Sequence, residues 1–226
     1  MSMPSMTETI SRATARSTAV ALATAALAMG ATTAGASTAS AAGTPAPAPA
    51  ESAARTSGTA GLKGVDYAAW QREVRSVIDG ARPYVVERTA NAQREKQAVV
   101  LDIDNSSLET DFHWKYPTPA IEPVLELTRY AHARGAAVFF VTARPGLLDA
   151  ATEYNLRRVG YPVSGLYVRH LPDLFRDVST YKTAKRAEIE AQGYKIIANI
   201  GNNTTDLAGG HAERTFKLPD YGGKLS

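Results

Sequence analysis

An α/β domain built on a parallel sheet is the fold class this sequence predicts, and three observations carry it. The short runs Ala98-Val99-Val100-Leu101, Val138-Phe139-Phe140-Val141 and Ile196-Ile197-Ala198 are apolar throughout rather than alternating. Strands covered on both faces read this way, and parallel sheets are covered on both faces. Between the runs lie longer stretches with apolar residues three and four apart, the pattern of helices packed on one side. Each run also gives way to polar residues, and in a parallel sheet those carboxyl ends share the edge where ligands bind. Strand and helix in alternation imply right-handed crossovers.

Trp70, Val74, Val77, Ile78 and Ala81 mark the first helical face, expected to end near Pro83. The first strand is expected over 98–104. Thr118-Pro119 reads as a cap and first turn for a helix carrying Ile121, Val124, Leu125 and Thr128, closed by Gly135. A strand follows over 136–142. The next helix, about 146–159, stops at Gly160-Tyr161-Pro162. Leu166 to His170 is a short strand, and a helix from Tyr181 to Gln192 stops at Gly193. Lys195–Gly201 and Arg214–Pro219 are the last two strands.

The domain occupies residues 63–226. Ahead of it, Arg12 and Arg16 precede a mild apolar stretch from Ala19 to Met29, and Ala39-Ser40-Ala41 offers a cleavage site, with Ala34-Gly35-Ala36 as a second candidate. That layout predicts a signal peptide over 1–41 and a secreted protein, extracellular or held in the cell envelope. The stretch is too short and too rich in Ala and Thr for a membrane span, so no stable membrane anchor is expected. Residues 42–62 form a Pro/Ala/Ser-rich linker whose Pro-Ala alternation from Pro45 to Pro49 favours an extended tether.

There is no cysteine. That excludes a disulfide framework, a thiol nucleophile and a lipid-modified cysteine. Lys and Arg number 25 against 22 Asp and Glu, a formal charge of +3. The charges are interspersed without a basic stripe, so a nucleic-acid polymer is not an expected partner. His113, His132, His170 and His211 are scattered without metal-ligand spacing, and the Arg-His-Gly motif of histidine phosphatases is absent.

The residues that could carry chemistry stand at the strand ends. Asp102 and Asp104 leave the first strand in the same direction, because the side-chain period of a strand is two. Two carboxylates this close repel and raise each other's pKa unless a cation joins them. A hard divalent ion, Mg²⁺ above all, beside a carboxylate that does chemistry is the economical reading. A solvated turn and the metal site of a sugar-nucleotide transferase are the competing ones. Thr142 ends the second strand and is followed by Arg144-Pro145; Lys182 opens a helix; Gly201-Asn202-Asn203-Thr204-Thr205-Asp206 ends the fourth strand. All can converge on one edge.

That order, Asp-x-Asp-x-Ser, strand-end Thr, Lys, then Gly-Asn-x-x-x-Asp, resembles the haloacid dehalogenase (HAD) superfamily. Within it, the chain is most similar to exported acid phosphatases of subfamily IIIB, the plant acid phosphatase and vegetative storage protein group. Asp102-Ile103-Asp104, Phe140-Val141-Thr142-Ala143-Arg144-Pro145, Tyr181-Lys182-Thr183-Ala184-Lys185-Arg186 and Arg214-Thr215-Phe216-Lys217-Leu218-Pro219 carry the resemblance. It implies a Rossmannoid three-layer α/β/α sandwich with a small or minimal cap, and a Mg²⁺-dependent hydrolase of small phosphomonoesters. Asp102 would be the nucleophile that becomes an aspartyl-phosphate, and Asp104 the acid/base. Thr142 and Lys182 would hold the phosphoryl oxygens. Asp102, Asp104 through its backbone carbonyl, Asn202 and Asp206 would be the metal ligands.

Several alternatives stay open at this point. Lys185 competes with Lys182 for the lysine role, and Ser106 reads equally as a turn residue. Asn202 departs from the superfamily's usual Asp, keeping an oxygen donor but losing a charge. Phe112, His113, Trp114 and Tyr116 form either an aromatic wall for a leaving group or packing against the first helix. Arg144 is a candidate partner for a phosphate or an acid. A weakened storage or binding protein, and a phosphotransferase, are the alternative functions.

Overall fold

The computed structural model of the protein describes residues 63–90 and 92–225. The expected signal peptide and linker lie outside the described residues. Five parallel strands form one sheet in the order β3-β2-β1-β4-β5, with β1 (Gln97–Leu101) at its centre. β2 runs Ala137–Pro145, β3 Gly165–Arg169, β4 Lys195–Gly201 and β5 Arg214–Lys217. The helices are α1 (Tyr67–Thr89), α2 (Glu122–Ala133), α3 (Asp149–Arg158), α4 (Val178–Ala191) and a short α5 (Thr204–Leu207).

The unbroken apolar runs are explained by two cores, one on each face of the sheet. Val99 and Leu101 of β1, with Val138 and Phe140 of β2, pack against Trp70, Val74 and Ile78 of α1 and Leu127 of α2, and Leu156 of α3 joins the same core. The alternate residues Ala98, Val100, Phe139 and Val141 face Tyr181 and Ile189 of α4. All five residues of β1 are buried. This is the expected three-layer α/β/α arrangement. It also fixes direction, because Asp102 continues the series Ala98, Val100 toward α4, and Thr142 and Arg144 continue Val138, Phe140 toward α3.

β1 stops at Leu101 rather than 104, β2 runs on past 142 to Pro145, and among the helix boundaries three differ for an identifiable physical reason. α1 runs through Pro83 to Thr89. An internal proline costs about 3 kcal/mol. Complete burial of Val85 alone returns about 1.5–3 kcal/mol, and the last turns are tied down by Tyr84, which donates to the Ile197 carbonyl (3.0 Å), and by the Arg88–Glu213 ion pair (2.6 Å). α2 begins at Glu122-Pro123, not at Thr118-Pro119. Thr118 is instead bonded at both its amide and carbonyl to the Asn155 side chain, 2.8 Å each, and Pro119 accepts from Glu109 N. α4 starts earlier than expected, at Val178, capped by Asp177 accepting from Thr180 N (2.9 Å).

Residues 105–121, between β1 and α2, form the small cap. Asn105 makes the turn out of β1 with φ +54°, a conformation Asn tolerates best among residues with a Cβ. Its side chain then clamps Asp111 through both its amide and its oxygen. Glu109, 4 % exposed, anchors the cap to α1 by accepting from Tyr67 and Gln71, and it pairs with His113 at 2.7 Å. Phe112 stacks on Trp70 with centroids 4.2 Å apart. The aromatic group therefore divides: Phe112 and His113 are packing, whereas Trp114 and Tyr116 are exposed.

Candidate active site

Asp102 lies one residue beyond β1, yet its amide still bonds to the Ile200 carbonyl of β4 (3.0 Å), so the sheet ladder holds its backbone. Ser107 Oγ donates to its carbonyl at 2.5 Å. Its side chain, facing α4, meets Lys182. The ammonium lies 2.6 Å from Asp102 Oδ1 and 2.5 Å from Asp206 Oδ1, with all three residues buried. Burial pushes the Asp102 carboxyl up to about 6; Lys182 opposes that shift, while the negative Asp206 and Asp104 reinforce it. Burial works against the Lys182 charge as well, but its two ion pairs prevail and hold its pKa above the ordinary lysine value. Lys185, the competing lysine, pairs with Glu188 at 2.9 Å and takes no part in the site.

Asp104 points into the same cavity of about 240 Å³ as Asp102, Lys182, Asn202 and Asp206. Its carboxylate is gripped by the Arg144 fork, Nε to Oδ2 at 3.0 Å and Nη2 to Oδ1 at 2.7 Å. Thr142 is fully buried; its hydroxyl accepts from Arg144 N (3.2 Å), and Ala143 rather than Thr142 lines the cavity. Three carboxylates therefore face two cations across this site. A dication would reverse that sign and make the cavity attractive to a phosphate.

The loop after β4 is shaped by close packing. A Cβ on Gly201 would strike the Asp206 side chain, 2.6 Å from its Oδ2, so only glycine lets the two approach. Asp206 Oδ2 accepts from Asn203 N (2.8 Å), closing the capping box of α5. Both oxygens of Asp206 are thus occupied by protein donors. Asn202 Oδ1 accepts from Ser106 Oγ (3.0 Å) and its Nδ2 donates to the Leu225 carbonyl (2.9 Å). Ser106 thus acts on Asn202, ninety-six residues away.

The donor set can be judged against a hard cation. Among the described residues no three His, Cys, Asp or Glu side chains are grouped to hold a metal. The reason is Lys182, which takes the space between Asp102 and Asp206. What remains is oxygen throughout: Asp102 Oδ2, the Asp104 carbonyl, which accepts none of the loop's backbone bonds, and the second lone pair of Asn202 Oδ1. Such a set fits Mg²⁺, which keeps several waters and takes one or two carboxylates.

Sequence reasoning gave no role to Arg186 or Asn199. Arg186, 1 % exposed, donates to the Asp206 carbonyl (2.7 Å) and the Gly210 carbonyl (3.0 Å), and Asn199 Nδ2 also reaches the Asp206 carbonyl (2.9 Å). Together they hold the loop that carries Asp206. The available signal was spacing, since Arg186 stands four residues after Lys182 on one helix face.

Comparison with known proteins bears on the family and the fold. The protein is 35 % identical over 123 residues to a stem 28 kDa glycoprotein of Glycine max, covering 51 % of this chain and 47 % of that one. It is 31 % identical over 104 residues to acid phosphatase 1 of Solanum lycopersicum, covering 45 % and 41 %. The matched region thus spans about half the length of these curated relatives or less. A class C acid phosphatase from Bacillus anthracis with tungstate bound shares the fold at a TM-score of 0.54 and 17 % identity, over 69 % of this chain and 79 % of that one. A second structure of the Bacillus anthracis enzyme gives a TM-score of 0.51 at 18 % identity, over 68 % and 81 %. The family model described as HAD superfamily, subfamily IIIB (acid phosphatase), matches residues 110–224, the span that holds Thr142, Lys182, Asn202 and Asp206 and begins shortly after Asp104. This protein belongs to that family, subfamily IIIB of the HAD superfamily.

Proposed function

We propose that the protein is an exported phosphomonoester hydrolase working through an aspartyl-phosphate on Asp102. The observation that carries this reading is the buried Asp102–Lys182–Asp206 bridge at the carboxyl edge of the sheet, with Asp104 beside it in the same cavity. One oxygen of the Asp102 carboxylate attacks phosphorus in line with the leaving oxygen, and the other would remain for the cation. Asp104 gives a proton to that oxygen, then takes one from the water that hydrolyses the intermediate. Lys182 donates to the phosphoryl oxygens, and Thr142, buried beside the cavity with its hydroxyl accepting from Arg144 N, shapes the strand end rather than the phosphate-binding space expected of it. Asp102, the Asp104 carbonyl and Asn202 would hold Mg²⁺, which when bound offsets the charge between the Asp102 carboxylate and the incoming phosphate. Asp206 is assigned to holding Lys182, a change from the metal-ligand role expected of it. Export rests on the sequence of residues 1–41. No helix among the described residues is long and apolar enough to cross a membrane.

Purified protein is expected to hydrolyse an aryl phosphate with Mg²⁺ and to lose that activity in excess chelator, with recovery on adding Mg²⁺ back. Absence of hydrolysis with every divalent ion would favour the storage or binding reading, to which the likeness to stem glycoproteins and the uncharged Asn202 both lend support. A phosphotransferase would reveal itself as phosphorylated glycerol when glycerol is present.

Asn202→Asp separates two effects. A second negative ligand should tighten Mg²⁺ at least about tenfold by calorimetric titration. The carboxylate would also lose the donor to the Leu225 carbonyl, at a cost of about 1–3 kcal/mol, so the metal-free variant should melt earlier than wild type. An unchanged Mg²⁺ titration would remove Asn202 from the metal site.

A further inference from the structure

We propose that Arg144 is a positioning residue that aims the Asp104 carboxyl at the leaving-group oxygen. The inference rests on the hydrolase reading above and concerns a residue to which that reading gives no role. Arg144 is itself held from two directions. Its backbone amide donates to Thr142 Oγ1 (3.2 Å), and its Nη1 reaches Thr152 Oγ1 (3.2 Å), a buried hydroxyl on α3. The two remaining guanidinium nitrogens form the fork on Asp104. Asp104 has no other side-chain partner among the described residues, and it sits on a loop beyond the end of β1.

The position of Asp104 gives the grip its purpose. Asp104 lines the cavity that holds Asp102 and Lys182, and also a second cavity of about 430 Å³ bordered by Tyr116, Thr118, Leu148 and Asn155. It is the partition between the nucleophile and a space large enough for a leaving group. Arg144 and Thr152 line only the second cavity, so the guanidinium approaches Asp104 from the leaving-group side. Without the fork, the carboxylate would be drawn toward the Lys182 ammonium across the first cavity, away from the leaving oxygen. A fork occupies one lone pair on each carboxylate oxygen and leaves another free. The gripped group can therefore still exchange a proton.

The chemistry balances around that proton. An Asp102 oxygen bonds to phosphorus as the bond from phosphorus to the leaving oxygen breaks, and the Asp104 proton moves to the leaving oxygen. Water then bonds to phosphorus, the bond to Asp102 breaks, and the water proton returns to Asp104. Only the first half depends on how badly the leaving group needs a proton. A misaimed Asp104 therefore harms poor leaving groups selectively, whereas a folding defect or a lost phosphate contact harms all alike.

The test compares kcat/KM for phenyl phosphate, whose phenoxide needs a proton as it departs, with that for dinitrophenyl phosphate, whose phenoxide does not. In Arg144→Met, the phenyl phosphate value should fall about 10²-fold while the dinitrophenyl value changes little. Arg144→Lys, which keeps the charge and loses the fork, should show the same selectivity in weaker form. Thr152→Val, which keeps the volume and removes the anchor of the guanidinium, should do likewise and covers the case in which Arg144→Met fails to fold. Equal losses on both substrates in the folded variants overturn the inference. Wild-type protein inactive on both substrates overturns the hydrolase reading and this inference with it.

Discussion

Lys182→Met is expected to lower both activity and stability, and both losses should be large. Among the described residues the ammonium is the single group joining Asp102 to Asp206, at 2.6 and 2.5 Å, and it is 3 % exposed. Removing one partner of a buried pair costs about 3–5 kcal/mol, because the charge left behind has lost its compensation. Against a total stability of about 5–15 kcal/mol that is a considerable share. The deficit should depend on pH. Burial already holds Asp102 up at about 6, so protonation favours the fold there: that contribution is complete below the unfolded carboxyl range and fades as pH rises through 6. With Lys182 gone the bare carboxylates repel freely above 6, so the drop in Tm should be largest at neutral pH and shrink on acidification. Activity should fall about 10²–10³-fold, the loss typical of a donor aimed at developing charge. A variant with wild-type Tm at neutral pH would show that the bridge does not contribute to the fold.

Asp102→Asn should separate the two properties. It removes the proposed nucleophile, and hydrolysis should drop on the order of 10⁴-fold or more. Stability should hold or rise. Asn retains an oxygen to accept from Lys182, and the substitution relieves both the burial of a charge and its repulsion by Asp206 and Asp104. The pair of variants thus lowers activity in both cases but lowers Tm only in Lys182→Met. Functional sites commonly trade stability for chemistry in this way. A strongly destabilised Asp102→Asn would place the residue among the structural ion pairs.

The sheet was legible because burial on both faces leaves a plain mark: β4 occupies the expected Lys195–Gly201, although β1 stops at Leu101, where the apolar run gives way to Asp102, short of the expected 104. Gly135 and Gly193 stop their helices with φ near +100° and +90°, as their positions suggested. Pro83 misled because the cost of an internal proline is local, whereas the burial that outweighs it comes from elements far along the chain. Thr118-Pro119 misled because Asn155 and Glu109 claim its backbone groups. The gathering of Asp102, Asp104 and Lys182 in one site followed from strand ends and motif order. The pairing within it did not. Lys182 with Asp206, Asn202 with Leu225, and Arg144 with Asp104 are made by the crossovers of the fold, and side chains separated by 23 to 40 residues leave no periodic trace. Arg144 was recognisable only as a cation in search of an anion.

Asp102 as a covalent phosphoryl carrier is the claim on which the rest depends, and rapid acid quenching tests it most directly. Protein mixed with a labelled aryl phosphate and Mg²⁺, quenched within the first turnover and digested, should carry label on the peptide containing Asp102. That label should be absent from Asp102→Asn. Label on a histidine, label that persists in Asp102→Asn, or turnover of the substrate with no labelled protein at any quench time would contradict the account.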